Sequence, residues 1–290
     1  MSATRQCAAA LALLATCCLC FGAATPDTYK SGGPYVPTPQ IVVDEMLRLA
    51  KVSARDHVID LGSGDGVIVL TAARQFKASG VGIEIDPELV QMSNATASMS
   101  GVADRVRFLQ QDVFKADLSK ASVLTLYLLP GMMLSLREKI FTELKPGTRV
   151  VSHDYHLGDW RADDQMSFDV PEKEKVNGVP KATLYLWHIP ARVAGRWQVR
   201  APGGETYDVA FRQRFNELEA TATIAGRPVR ALQPTLRGEE ISFGLPDGKG
   251  TLRYSGRVKD GAMEGAVEGG AGVAQRWSAT RTSSAKVILE

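Results

Sequence analysis

Three acidic residues, Asp60, Glu84 and Asp112, each stand at the end of a short apolar run, and the first introduces the stretch Asp60-Leu61-Gly62-Ser63-Gly64-Asp65-Gly66. A glycine-rich turn between a strand and a helix lets backbone approach a ligand closely, and the helix start offers unpaired N–H groups. Such a turn marks a nucleotide-cofactor site. The dinucleotide fingerprint G-x-G-x-x-G places two residues between its second and third glycines. Here Gly62, Gly64 and Gly66 are evenly spaced and Val67 follows, so a nicotinamide cofactor does not fit.

The acids give the site a sign. Asp60, two residues ahead of Gly62, suits the cationic amino group of a methionine moiety and would repel a pyrophosphate. Glu84, eighteen residues past Gly66, stands where a carboxylate can accept both hydroxyls of a ribose. Asp112 is placed to meet an adenine amino group, with the Val113 backbone beside it. Any one of these acids alone reads equally well as a helix cap or a solvated loop charge; three in register point to S-adenosyl-L-methionine. Asp65 and Ile85, neighbours of the turn and of Glu84, complete the expected cofactor-binding set. The chain is identified on these residues as a member of the class I methyltransferases.

A narrower resemblance rests on Pro34-Tyr35-Val36-Pro37-Thr38-Pro39, the run Asp60 to Gly66, and Arg149-Val150-Val151-Ser152 followed by Trp160. Together they resemble the lysine methyltransferases related to the ATP synthase c-subunit enzyme, over about half the chain, from Pro34 to Asp164. The glycine motif is generic; the Tyr-Val-Pro and Arg-Val-Val-Ser elements discriminate. The resemblance implies that Tyr35 to Thr38 fold over the cofactor and that the acceptor is a protein lysine or a related amine.

Methyl transfer to an amine requires the acceptor as the neutral base in a desolvated, aromatic-lined channel. Tyr127, in Tyr127-Leu128-Leu129-Pro130, is the candidate residue facing the methyl group, against the alternative of an ordinary buried strand tyrosine. Amide and adenine methyltransferases carry Asn or Asp in that place, and its absence argues against planar nitrogen acceptors. Tyr35, Tyr155 and Trp160 are further pocket candidates. His153, Asp154 and His156 cluster without a third recognisable ligand, so no metal is assigned.

The elements that must hold these residues alternate. Apolar runs at His57–Leu61, Gly80–Ile85, Val106–Gln111, Val123–Leu128 and Arg149–His153 read as strands, with helices expected at Ile41–Lys51, Asp65–Phe76, Pro87–Ser100 and Met132–Leu144. Continuous apolar strands separated by helices imply a doubly wound, mainly parallel Rossmann-like sheet. Gln165–Val170 and Ala182–Ile189, with no helix expected between them, pair as a closing antiparallel hairpin. Beyond Pro190 strict two-residue alternation and Gly, Pro and Asp turns predict a small all-β, antiparallel, barrel-like domain of about eight strands. Its Gly195-Arg196-Trp197 and late Arg281 are similar to the lipocalin arrangement, in which an early Trp packs against a late Arg.

Of the 290 residues, 34 are basic and 32 acidic, a net charge of +2 that gives no electrostatic case for nucleic acid or an anionic membrane as partner. All four cysteines fall within the first twenty residues. That excludes a disulfide scaffold, a thiolate metal site and a cysteine nucleophile in the remainder. The apolar run Cys7 to Phe21, preceded by Arg5 and followed by Gly22-Ala23-Ala24, reads as a signal peptide cut near Ala24. An uncleaved anchor through residues 7–24 is the alternative, and would be the only membrane contact. The expected organisation is a leader (1–24), a linker (25–33), a methyltransferase domain (34–190) and a β domain (191–290), the whole exported to the periplasm or secreted. Against a protein-lysine methyltransferase stand two other readings: an exported binding protein that keeps the fold with little catalysis, and a small-molecule methyltransferase.

Overall fold

The computed structural model describes residues 35–246, 248, 250–269 and 273–290. The leader and linker readings fall outside them, as does Pro34. Among the described residues no helix is long and apolar enough to cross a membrane.

The first lobe opens with helix α1 (Gln40–Leu49), whose Val42, Val43, Met46 and Leu47 recur at helical spacing and are fully buried. Strand β1 (His57–Leu61) leads through the glycine turn into α2 (Val67–Phe76). β2 (Ser79–Glu84), α3 (Pro87–Met99), β3 (Val106–Gln110), β4 (Val123–Leu126), α4 (Pro130–Glu143) and β5 (Arg149–His153) follow. Asp86 caps α3 by accepting the backbone N–H groups of Glu88 and Leu89, at 2.8 and 3.4 Å, and Pro87 opens the helix where a missing N–H costs nothing.

The sheet has the order β3-β2-β1-β4-β5-β7-β6, parallel except for β7 (Lys181–His188), which runs antiparallel to both β5 and β6 (Asp164–Asp169). The chain changes its direction of progress between β1 and β4, so a crevice opens at the carboxyl ends of those strands. One expectation is corrected: a short helix, α5 (Pro171–Asn177), stands between β6 and β7. Its seven residues, opened by Pro171 and stopped by Gly178 in the left-handed region, are too few for periodicity to reveal.

Among the described residues the second lobe is a nine-stranded antiparallel sheet of β8 (Gly195–Arg200), β9 (Thr206–Arg214), β10 (Glu217–Ile224), β11 (Arg227–Arg230), β12 (Leu232–Arg237), β13 (Glu240–Pro246), β14 (Thr251–Lys259), β15 (Ala262–Glu268) and β16 (Gln275–Ser284), one strand more than expected, in the order β11-β10-β9-β8-β16-β15-β14-β13-β12. It is nearly closed, with Ala231 N–H, in the link between β11 and β12, donating to Ala220 O of β10. The extra strand is β11 (Arg227–Arg230), a four-residue edge piece with one half-buried side chain and no alternation to betray it. Phe211, Phe243, Tyr254 and Trp277 fill the interior with ring-to-ring contacts and Trp197 is buried in the same cluster, so the barrel is a packed core. The Arg281 guanidinium lies 4.7 Å from the Trp197 ring centre, the contact expected from the lipocalin-like pair. Gly195, at φ +126°, is required there because a Cβ would sit 2.0 Å from Ser283 O.

The two lobes share a core. Phe215, at the turn between β9 (Thr206–Arg214) and β10 (Glu217–Ile224), is fully buried against Phe141 and Trp160 of the first lobe. Val287 and Leu289, after β16, pack on the same cluster.

Candidate functional site

The crevice holds a cavity of about 550 Å³ whose walls come from the carboxyl ends of β1, β2 and β4, from the segment after β3, and from the N-terminal stretch Tyr35 to Thr38. Asp60, Gly62, Gly64, Asp65, Glu84, Ile85, Asp112, Val113, Tyr35 and Tyr127 all face it. Gly66 does not: it begins α2 in the left-handed region and its bare α-carbon lies against Phe108 and Ser93.

Each acid is held by a different device. Asp60 is 2% exposed, and its Oδ1 accepts the Thr125 hydroxyl of the neighbouring strand at 2.6 Å. Burial pushes its carboxyl up to about 7, with Glu84 and Asp65 adding to the rise and the Thr125 bond opposing it. A buried carboxyl in that state lacks a cation. Glu84 is pinned by three backbone N–H groups: Gly64 to Oε2 at 2.8 Å, and Ile85 and Asp86 to Oε1 at 2.7 and 3.0 Å. One acceptor direction on Oε2 remains for a ligand hydroxyl. Asp112 caps the 3₁₀ turn Val113–Lys115 through Phe114 N–H at 2.9 Å.

The N-terminal stretch covers the turn. A Cβ on Gly64, which sits at φ +53°, would lie 2.5 Å from the Tyr35 ring, so the ring rests directly on the glycine backbone. Burial raises the pKa of the Tyr35 hydroxyl, and the neighbouring Asp65 carboxylate adds to the rise.

At another wall of the cavity, Tyr127 lies just past β4 with its ring centre 4.1 Å from that of His153 and 6.2 Å from the roughly parallel ring of Tyr155. Burial raises the Tyr127 hydroxyl to about 12, Asp154 and Tyr155 contributing. It is the neutral phenol throughout the physiological range. His153 is 1% exposed and held neutral, its pKa lowered to about 4 chiefly by burial. Behind it Lys173 of α5 buries its ammonium on Asp154, on Lys181 O at 2.7 Å and on His153 Nε2 at 3.2 Å. Asp154 holds φ +62°, an uncommon value for a non-glycine residue, and its Oδ1 accepts Thr183 N–H at 3.0 Å.

Sequence reasoning placed Trp160 in the pocket; it is 1% exposed inside the core shared by the lobes, stacked on Phe215. Nothing local distinguishes a pocket tryptophan from a core one. Arg149 is likewise remote from the cavity: it bonds Ala50 O at 2.7 Å, Lys51 O at 3.1 Å and the Asp56 carboxylate, fixing α1 to the opposite end of the sheet. Reasoning from sequence missed Thr125, Phe114, Leu128 and Lys173. Phe114 had a signal, an aromatic side chain two residues after Asp112, and it is 41% exposed at the cavity. Lys173 had none.

The methyltransferase domain family described as ANTKMT matches residues 60–164, the stretch that carries Asp60, Glu84, Asp112 and Tyr127. A protein-lysine N-methyltransferase of Saccharolobus islandicus (strain REY15A) is 40% identical over 163 residues, covering 56% of this chain and 97% of that protein. This chain belongs to the protein-lysine N-methyltransferase family.

The ATP synthase c-subunit lysine N-methyltransferase of Xenopus laevis is 36% identical over 131 residues, which cover 45% of this chain and 57% of that relative. The chain thus spans a little over half the length of that family member. Among solved structures, an RNA methyltransferase from Salinibacter ruber in complex with S-adenosyl-L-homocysteine is 49% identical, covering 55% of this chain and 96% of that one, with a TM-score of 0.49.

The enzymes of this family use S-adenosyl-L-methionine, and the residues at the cavity fit it. A buried carboxyl without a cation partner suits an ammonium, a pinned carboxylate with a free acceptor direction suits a ribose hydroxyl, and exposed Ile85 and Phe114 offer apolar faces that a purine would fit. Among the described residues, five carboxylates and no Lys or Arg line the cavity, a charge pattern for a cationic ligand.

Proposed function

We propose that this protein transfers a methyl group to the side-chain amine of a protein lysine. The observation that carries the reading is the lining itself: five carboxylates, three tyrosines and no Lys or Arg among the described residues. An RNA acceptor calls for cations to meet its phosphates. A lysine side chain needs no cation to meet it, and its apolar stem and amine suit the rings of Tyr127 and Tyr155.

When bound, S-adenosyl-L-methionine supplies an electrophilic methyl group on a sulfonium. The chain's own residues do the rest. Asp60 would hold the ammonium, Glu84 a ribose hydroxyl through the free side of Oε2, and Asp112 the adenine amino group; Tyr35 would close over the glycine turn and exclude water. Tyr127 and Tyr155 flank the acceptor amine and hold its lone pair in line. The Tyr127 hydroxyl accepts a hydrogen bond from the amine, and since the phenol stays protonated it orients rather than removes the proton. That proton leaves to water at the mouth. Positioning of this kind supplies much of the acceleration in a displacement that needs no acid at the leaving group.

The full chain, incubated with methyl-labelled S-adenosyl-L-methionine and separately with lysine peptides, RNA and small amines, distinguishes the acceptors. Label confined to lysine, abolished by Glu84→Ala, supports the reading. Label on RNA or small amines alone overturns it. Calorimetric titration with S-adenosyl-L-methionine tests the exported binding-protein alternative: no binding, with Glu84→Ala making no difference, would favour it. The reading of residues 1–24 as an export leader is tested by the mature N-terminus; a chain retaining Cys7 to Phe21 would favour the anchor.

A further inference from the structure

We infer that the barrel's hairpin tip, Arg214-Phe215-Asn216, is a positioning element for the acceptor side of the pocket. This rests on the amine-transfer reading for its catalytic consequence, though not for its structural one.

All three side chains grip one short stretch of the first lobe. Arg214 pairs with the Asp159 carboxylate, which also holds Arg137 of α4. The Phe215 ring stacks on Trp160 with centres 4.9 Å apart and planes 11° from parallel. Asn216 Nδ2 donates to Arg161 O at 3.1 Å and to Asp163 Oδ1 at 3.0 Å. The tip is thereby keyed to residues 159–163, and that stretch begins four residues past Tyr155, the acceptor-side wall of the cavity.

Phe215 has a backbone reason to be somewhere else. It occupies φ +48°, a left-handed turn position that Gly or Asn takes at little cost and a bulky residue does not. A hairpin serving only the barrel would carry a small residue there. The ring is instead fully buried in the other lobe, edge-on to Phe141, with the Arg137 guanidinium 5.1 Å from its centre. Tyr155 packs against the same apolar cluster, as do Leu157 and Trp160.

The grip is one-sided. These side-chain partners lie on residues 137–163 and at the C-terminal end, where Glu290 O accepts Arg214 Nε at 2.9 Å. None belongs to the glycine turn, to Glu84–Asp86 or to Asp112–Phe114. Loosening the tip therefore frees Tyr155 while leaving the cofactor's anchors in place, and a misplacement of about 1 Å at the acceptor wall costs about 10²-fold in transfer.

The test uses the full chain with Phe215→Ala, the conservative Phe215→Leu, and Asn216→Ala, which leaves the shared apolar core intact. Amide hydrogen exchange is followed separately for residues 153–163 and 60–67, alongside S-adenosyl-L-homocysteine titration and label transfer to poly-L-lysine. The expected result for Phe215→Ala is exchange about tenfold faster in 153–163, unchanged in 60–67, with homocysteine-ligand affinity within about twofold of the parent. Transfer falls about 10²-fold through kcat and acceptor KM, and Phe215→Leu restores it in part. Asn216→Ala shifts the same segment by a smaller factor. Unchanged exchange in 153–163 for both Phe215→Ala and Asn216→Ala overturns the inference; so does equal loosening of both segments with lost ligand affinity, which would make the tip a general stabiliser. Should the parent fail to label poly-L-lysine, the exchange pattern still decides the positioning role, and only the amine reading falls.

Discussion

Replacing Asp60 by Asn separates two consequences of a buried carboxyl. The folded protein keeps a proton on Asp60 up to about pH 7, whereas the unfolded chain releases it near the ordinary aspartate value of 3.8. Between those values the native state binds more protons than the unfolded state, so this group lowers stability as pH rises and the loss is complete above pH 7. Most of that window lies between pH 5 and pH 7, so the stability difference between Asp60→Asn and the parent grows by about 3 kcal/mol from pH 5 to pH 8. Asn retains an oxygen for the Thr125 hydroxyl but buries an amide N–H₂, which subtracts about 1–3 kcal/mol at both pH values. The pH-dependent part is therefore the clean signal. Urea unfolding of both proteins without ligand, at pH 5 and pH 8, measures it. Cofactor binding moves the other way: an ammonium needs the ionised carboxylate, so the parent's affinity rises about tenfold from pH 6 to pH 8, and Asp60→Asn loses about 10- to 150-fold at pH 8 and flattens the profile. A stability difference that does not change with pH, or a variant that binds as tightly as the parent, refutes the assignment of Asp60 to the ammonium.

Other outcomes follow from the same geometry. Glu84→Gln turns an amide N–H₂ toward at least one of three backbone N–H groups, and the mismatch destabilises the protein by about 2 kcal/mol while weakening cofactor binding, read by chemical unfolding and calorimetry. Gly64→Ala forces a Cβ into the Tyr35 ring at a left-handed φ, and cofactor affinity falls at least about tenfold; unchanged affinity would mean that Tyr35 does not close the site. Tyr127→Phe keeps the contact with His153 and removes only the hydroxyl, so kcat drops about tenfold with cofactor affinity intact, and an unchanged kcat removes the hydroxyl from the mechanism. Lys173→Met strands Asp154 beside a neutral His153, and thermal unfolding registers a loss of about 3–5 kcal/mol.

Much of the first lobe is legible in the chain because its signals are local. A strand's apolar run, the glycines that follow it and the acid that ends the next run are fixed by sequence spacing, and a parallel sheet converts equal spacing into a shared edge. Asp60, Glu84, Asp112 and Tyr127 reach one cavity for that reason. Gly66 shows the limit of the motif: its spacing marks it with Gly62 and Gly64, yet its open side receives Phe108 rather than a ligand.

What tertiary structure alone decided is which residues hold the acceptor wall and to what the barrel is fastened. Lys173 meets Asp154 from nineteen residues away because α5 folds back between two strands, and Phe215 meets Trp160 across fifty-five residues because a turn of the barrel enters the first lobe. Neither pair leaves a periodic trace, since each depends on the direction in which one side chain leaves an irregular turn. The sequence by itself determined the carboxylate-lined end of the cavity, where strand and turn spacing bring Asp60, Glu84 and Asp112 together. The Tyr155 wall of the cavity borders the core in which Phe215 stacks on Trp160, and only the assembled tertiary structure brings them to one cluster.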